Sequence, residues 1–178
     1  MTIKIKELTM GCSPIIFDCG DWFDLTCATD ITLKAPLAHP FHKWKKGTKP
    51  SEDIKVRDVE FDSTLIPLGI CVEVPKGYEC VIVPRSSTFK KYGLLQTNHF
   101  GVIDQLYCGD KDEWKMPVVA TRNVTIPKGT RVCQFRVQLS QKASIWQKLK
   151  WLFSGAPNLK HVKTLGNPNR FGFGSTGH

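Results

Sequence analysis

Three stretches of this 178-residue chain bring together side chains suited to phosphate chemistry. In "NHFGVIDQLYCGD" (98–110), one acidic residue, Asp104, stands in an apolar run bracketed by Gly101 and Gly109. A carboxylate among apolar neighbours is costly unless it is paired or in use. Asp104 therefore reads as a structural ion pair or as a general base. "VPRSSTFKKYG" (83–93) sets Arg85 beside two hydroxyls at the end of a strand-like run, a combination that suits a phosphate. The stretch "RFGFGSTGH" (170–178) offers Arg170 for charge and Ser175, Thr176 and glycine-rich backbone for donors. Phe173 adds a flat apolar face there. A solvated tail has the same polar, glycine-rich composition, so the tail by itself leaves both readings open. Two weaker signals remain. "GTRVCQF" carries Gln134 into a strand, where an amide needs a partner, and "GDWFDLTCA" sets Asp21 and Asp24 among apolar neighbours.

The elements that must position these groups are strands. "DITLKA", "STLIPLGICVEV", "YECVIVP", "MPVVATR", "NVTIP" and "TRVCQFRVQL" are short runs rich in β-branched residues, punctuated by Pro and Gly. "PKGYE" and "PKGTR" are turn sequences between such runs. Alternation through "VIDQLY" predicts Val102 and Asp104 on one strand face, with Ile103 and Gln105 on the other. Many short strands with turns between them predict an all-β sandwich or barrel.

Two stretches break the pattern. Residues 35–57, rich in Pro, Lys and His, read as an exposed insertion. Residues 144–155, "SIWQKLKWLFSG", place Ile145, Leu149, Leu152 and Phe153 at helical spacing with Trp146 beside them, and Gly155 followed by Pro157 predicts the stop. A basic amphipathic helix can touch a membrane or DNA, but packing on its own domain is the expected role.

Composition bounds the rest. With 41% hydrophobic and 23% charged residues, the chain reads as one globular domain over 1–178. No apolar run is long enough to span a bilayer, and "MTIKIKELTM" is too polar for a signal peptide, so a cytosolic location is expected. Seven cysteines without a CxxC pair predict neither a disulfide framework nor a zinc site. A net charge of +9 calls for an anionic partner or substrate without choosing among them.

Taken in order, "GDWFDL", "PRSST", "GVIDQLYCGD", "GTRVCQF" and "RFGFGSTG" resemble the five motifs of the trimeric deoxyuridine triphosphatases (dUTPases), in a bacterial and phage-type branch. The resemblance covers the chain from about residue 20 onward, apart from the two insertions. Two positions depart from the pattern: Trp22 stands where a small glycine is usual, and Phe171 replaces the glycine that normally follows the motif arginine.

The resemblance implies a jelly-roll-like β-barrel, assembled as a homotrimer with active sites at subunit junctions and a mobile C-terminal arm over 166–178. It implies Mg²⁺-dependent hydrolysis of dUTP to dUMP and pyrophosphate, with Asp104 activating the attacking water. Tyr107 would lie against the deoxyribose, and Asn98 with the backbone around it would read uracil. Gly101 and Ile103 belong to the same substrate-binding set. Arg85, Ser86 and Ser87 would face the phosphates, and Gln134 would hold a phosphate or a metal-bound water. Asp24 would reach Mg²⁺ through water. Phe173 would stack on uracil while Arg170, Gly174, Ser175 and Thr176 close over the phosphates.

Two rivals stand beside this reading. A dCTP deaminase on the same barrel needs a glutamate a few residues beyond Gly109, but that place falls at Trp114, with Glu113 one residue off. A regulatory or nucleic-acid-binding protein on the same scaffold would use the basic charge. Yet no stacking platform is recognisable, so nucleic acid is not the expected partner.

Overall fold

The computed structural model describes residues 1–17, 20–38 and 59–172. The chain runs β1 (Thr2–Glu7), β2 (Phe23–Thr26), β3 (Ile31–Leu33), β4 (Leu37–Ala38), β5 (Val59–Glu60), β6 (Ser63–Pro67), β7 (Ile70–Glu73) and β8 (Tyr78–Pro84). It continues through α1 (Thr88–Tyr92), β9 (Leu94–Gln96), β10 (Gly101–Ile103), β11 (Lys115–Ala120), β12 (Val124–Ile126) and β13 (Arg131–Leu139). It closes with α2 (Ile145–Leu152) and β14 (Asn158–His161). The result is an all-β, jelly-roll-like fold.

Three sheets carry it, ordered β14-β1-β7, β10-β8-β13-β2 and β6-β11-β9, with the pairs β12-β3 and β4-β5 beside them. Alternation decides what each strand buries. In β1, Ile3 and Ile5 are fully buried while Lys4 turns outward to pair with Glu73 at 3.0 Å. Met116, Val118 and Ala120 do the same inward work in β11. Phe135 of β13 stacks on Phe23 of β2 at 5.0 Å and makes a T-shaped contact at 5.1 Å with Trp114, which stands just before β11.

β8 organises the site. It pairs with β13 from Cys133↔Pro84 to Leu139↔Tyr78, and on its other edge with β10 through Gly101↔Ile82 and Ile103↔Cys80. The two Pro-Lys-Gly sequences are the turns expected. Tyr78 N–H donates to Pro75 O and Thr130 N–H to Pro127 O, both at 3.1 Å, with Gly77 and Gly129 at positive φ. Residues 39–58, most of the predicted insertion, lie outside the described residues; its base is the antiparallel pair Leu37↔Glu60 and Ala38↔Val59.

α2 departs from expectation in two ways. It starts at a capping box, Ser144 with Gln147, but ends at Leu152 with Phe153 as C-cap rather than at Gly155. The Ser154 hydroxyl donates to Trp151 O at 3.0 Å and so satisfies a terminal carbonyl early. The stripe expected to pack on the domain does not. Ile145, Trp146, Leu152 and Phe153 are 65–84% exposed. Trp151, on another face, meets Tyr78 at 5.6 Å, and Gln147 Nε2 donates to Lys76 O at 2.7 Å, which sets the helix rotation.

The six described cysteines are free thiols, five of them buried. Burial pushes Cys71 up to about 12, against an opposing pull from the Lys6 charge. Cys80 and Cys133 are also pushed up, first by burial. Cys19 lies outside the described residues.

Candidate active site

Asp104 sits just beyond β10, not inside a strand. Its Oδ1 accepts the Leu106 N–H at 2.8 Å and its carbonyl accepts the Tyr107 N–H at 3.2 Å, so the carboxylate closes a turn instead of interrupting a ladder. The predicted two-face alternation therefore stops at Ile103. The other oxygen, Oδ2, accepts from Arg170 Nη1 at 2.6 Å. Burial raises the Asp104 pKa, but the Arg170 hydrogen bond, the turn N–H groups and the guanidinium charge outweigh it and hold the group below its ordinary value. Asp104 is ionised and faces a cavity of about 250 Å³.

That cavity is lined by Ile82, Asn98, Gly101, Val102, Ile103, Asp104, Tyr107, Lys115, Arg170 and Gly172. Six of the residues singled out in the sequence thus meet in one place: Asn98, Gly101, Ile103, Asp104, Tyr107 and Arg170. The Tyr107 ring is pinned by its hydroxyl, which donates to Glu113 O at 2.9 Å. Burial, then the charges of Asp112, Cys71 and Glu113, push the phenol up to about 12, so it keeps the proton it donates.

The arm enters over this pocket by a route the sequence did not reveal. Asp112, fully buried, accepts from the backbone N–H groups of Gly109, Arg170 and Phe171 at 2.9–3.0 Å. Asp110 accepts from Thr164 Oγ1 and Leu165 N–H and pairs with Lys6 at 3.0 Å, fixing the segment just before. Two glycines mark the closest approaches. A Cβ on Gly109 would fall 2.5 Å from Asn169 Oδ1, and one on Gly172 would fall 2.9 Å from Tyr107 Cε2. Phe171 holds φ at +52°, the left-handed region that the usual glycine adopts without cost. Phe173, Gly174, Ser175 and Thr176 lie outside the described residues.

The remaining candidates form a second cluster. Asp24, 5% exposed, accepts Arg85 Nε at 2.9 Å on one oxygen and Arg131 Nη1 at 3.0 Å on the other. Gln134 lies opposite Asp24 in the β13–β2 ladder. Ser86 is exposed, and Ser87 stands at the N-cap of α1 without bonding its N–H groups. Arg85 follows the C-terminal end of β8, whereas Asp104 lies level with its start. At about 3.3 Å per residue Asp104 and Arg85 of one chain stand roughly 20 Å apart along the strand, while Ile82 on the pocket wall lies roughly 10 Å from Arg85.

Among the described residues no group of three or more His, Cys, Asp or Glu is placed to hold a metal by itself. Glu113 does not face the pocket: its Oε1 accepts the Gly69 N–H at 3.0 Å, and Trp114 is fully buried in the core. The carboxylate a deaminase needs is therefore turned away.

A family model described as dUTPase matches residues 50–151. A prophage-derived deoxyuridine 5'-triphosphate nucleotidohydrolase of Bacillus subtilis (strain 168) is 39% identical over 178 residues, covering 99% of both chains. The deoxyuridine 5'-triphosphate nucleotidohydrolase of Finegoldia magna is 43% identical over 88 residues, 48% of this chain and 58% of its own. Among solved structures, the Streptococcus mutans dUTPase superposes with a TM-score of 0.58 at 18% identity, covering 81% of this chain and 99% of that one. A variant dUTPase of Staphylococcus aureus phage phi11, described with a structural Mg(II) ion, superposes at 0.57 and 13% identity over 82% of this chain and 95% of its own. The structural neighbours establish the fold, and the full-length relative with the family match establishes the lineage: this chain belongs to the dUTPase family.

Proposed function

We propose that the family's reaction, hydrolysis of dUTP to dUMP and pyrophosphate, takes place in this chain at the Asp104 pocket. The observation that carries the assignment is an ionised carboxylate at a cavity whose other walls are Tyr107, Asn98 and Arg170. Asp104 orients a water and takes its proton as the oxygen attacks the α-phosphorus; the bond to the bridging oxygen breaks and pyrophosphate leaves. Tyr107, pinned through Glu113 O, lies flat against the deoxyribose and leaves no room for a 2′-hydroxyl. Asn98 and the backbone at Gly101 and Ile103 read the base. Arg170 and the arm beyond it cover the phosphates, with Phe173 on uracil and Gly174, Ser175 and Thr176 on the γ-phosphate.

Arg85, Ser86, Ser87, Gln134 and Asp24 serve the triphosphate from a neighbouring copy. The roughly 20 Å between Asp104 and Arg85 along β8 supports a homotrimer with shared sites, in which the phosphate-facing groups of one chain complete the Asp104 pocket of another.

Mg²⁺ is the implied metal. Both Asp24 oxygens already hold an arginine, and the described residues form no carboxylate cage. Such a donor set fits an ion gripped by the phosphates and its own waters, with Asp24 and Gln134 reaching it through water. When bound, Mg²⁺ neutralises charge on the triphosphate. No helix among the described residues is long and apolar enough to cross a membrane, and the cytosol is the location this reading fits.

The test is pyrophosphate release from dUTP but not from dCTP, dTTP or UTP. Ammonia release from dCTP, or no pyrophosphate from dUTP, would overturn the reading.

A further inference from the structure

Gln96 is a polar side chain that the reaction itself does not use, yet it is 8% exposed at the end of β9 and bonded to Asn98, which lines the pocket. Its Nε2 makes two bonds, to Ile82 O at 3.3 Å and to Asn98 Oδ1 at 2.8 Å. Its Oε1 is buried and has no partner among the described residues. A glutamine placed only for packing would not leave an acceptor unsatisfied while committing both amide protons.

The direction of these bonds is forced. Ile82 O is a backbone carbonyl and only accepts, so the nitrogen of Gln96 must face it. The second proton of that nitrogen then points at Asn98, which must answer with its oxygen, because the opposite orientation would set two donors against each other. Asn98 Nδ2 is left on the other side, over Gly101, where it comes within 3.5 Å of the position a Cβ on Gly101 would take. Both Asn98 and Gly101 line the cavity. The turn holds the pair in place, with His99 N–H donating to Gln96 O at 3.4 Å and Phe100 N–H to Asn98 O at 2.6 Å.

We infer that Gln96 is a specificity-determining positioning residue: it locks the Asn98 carboxamide with its NH₂ toward the base, so that the pocket accepts a C4 carbonyl and rejects a C4 amino group. The inference rests on the reading of this pocket as the pyrimidine site. A donor facing C4 pairs with uracil and opposes cytosine, and a buried polar pocket gains its selectivity from leaving the wrong base unpaired. Without the lock, Asn98 can rotate by half a turn and offer its oxygen, which suits cytosine as well.

Two variants test this, each assayed for pyrophosphate release from dUTP and dCTP by the full-length protein. Gln96→Met keeps the volume and removes the donor. The ratio of kcat/KM for dUTP over dCTP should fall about tenfold or more, chiefly through KM. Gln96→Glu presents oxygens to Asn98, which should turn its NH₂ inward and lower the ratio further. A purely structural Gln96 would lower the melting temperature and both kcat/KM values together, leaving the ratio unchanged; that result in a folded variant overturns the proposal. Should neither variant fold, the wild-type Asn98 side-chain amide resonances decide. They should shift on titration with dUMP and not with dCMP, and equal shifts overturn the proposal. Absence of dUTP hydrolysis by the wild type would instead refute the pocket's assignment, which is a separate failure.

Discussion

Arg170 Nη1 donates to Asp104 Oδ2 at 2.6 Å, joining the first cation of the arm to the carboxylate placed as general base. Both side chains remain well exposed, at 40% and 44%, so water screens the pair and nucleotide can part it. Asp104→Asn keeps the shape and the turn hydrogen bond but removes the base. Turnover at saturating dUTP should fall by about 10²-fold or more, while dUMP binding by calorimetry changes little. Near-full turnover of the variant would remove Asp104 from the chemistry.

The same pair sets a pH dependence. The folded pKa of Asp104 is depressed, so its contribution to stability is present above the unfolded value of about 4 and is lost as pH falls through the lower folded value. In kcat/KM this places the acid limb below the ordinary aspartate range. Arg170→Ala removes the largest lowering influence and should move that limb upward. A limb that stays in place would show that another group sets it.

Asp112 should matter more than its charged surroundings suggest. Asp112→Ala strips the acceptor from the N–H groups of Gly109, Arg170 and Phe171 in a fully buried place. The expected cost is about 1–3 kcal/mol in stability, from donors left without a partner. Loss of the arm's anchor should also raise KM for dUTP. Thermal melts and steady-state kinetics read the two effects, and an unchanged KM would separate the anchor from function.

The Gly172 contact is a steric prediction. Gly172→Ala puts a methyl 2.9 Å from Tyr107 Cε2, so either the arm or the ring must move. We expect the fold to persist and kcat/KM to fall by about tenfold, since misplacement near the chemistry is amplified. By contrast Phe171→Gly relieves a left-handed φ of +52° and should be neutral or stabilising. A Gly172→Ala enzyme of full activity would mean that the arm does not hold this position during turnover.

Sharing of sites between chains predicts complementation. Asp104→Asn and Ser86→Ala, each nearly inactive alone, should regain activity when co-refolded. Random mixing in a shared-site trimer restores about a quarter of the sites. No recovery from a properly mixed oligomer would place all the groups of one site on one chain.

Several of these features were legible from residue order, and others were not, for physical reasons. "YECVIVP", "NVTIP" and "TRVCQFRVQL" became β8, β12 and β13 because β-branched runs between Pro-Gly turns have few alternatives. Asp104 stands out as a carboxylate in an apolar strand, yet it lies in a turn with 44% of its side chain exposed, so the cost of burial that draws attention to it does not apply there. Asp112 was not visible, since in "GDKDEW" an acid looks solvated and its burial comes only from an arm crossing nearly 60 residues later. Gln96 hid for a similar reason: its two partners come from another strand and from the turn. The α2 stripe shows the limit of periodicity. Spacing revealed an apolar face, but Tyr78 and Lys76 chose Trp151 and Gln147 instead.

The parallel pairing of β1 with β14, Thr2 opposite Asn158 and Ile5 opposite His161, has a consequence for the order of folding. β1 is synthesised first, yet one of its edges has no partner until almost the whole chain has left the ribosome. During that interval the edge of β1 is an open template for another chain, with Ile3 and Ile5 awaiting the core. Contacts this distant in sequence slow folding, because the loop between them must close before they contribute. Nascent chains cut short before Asn158 should therefore aggregate, whereas chains ending just after Leu165 should fold and lack only the arm.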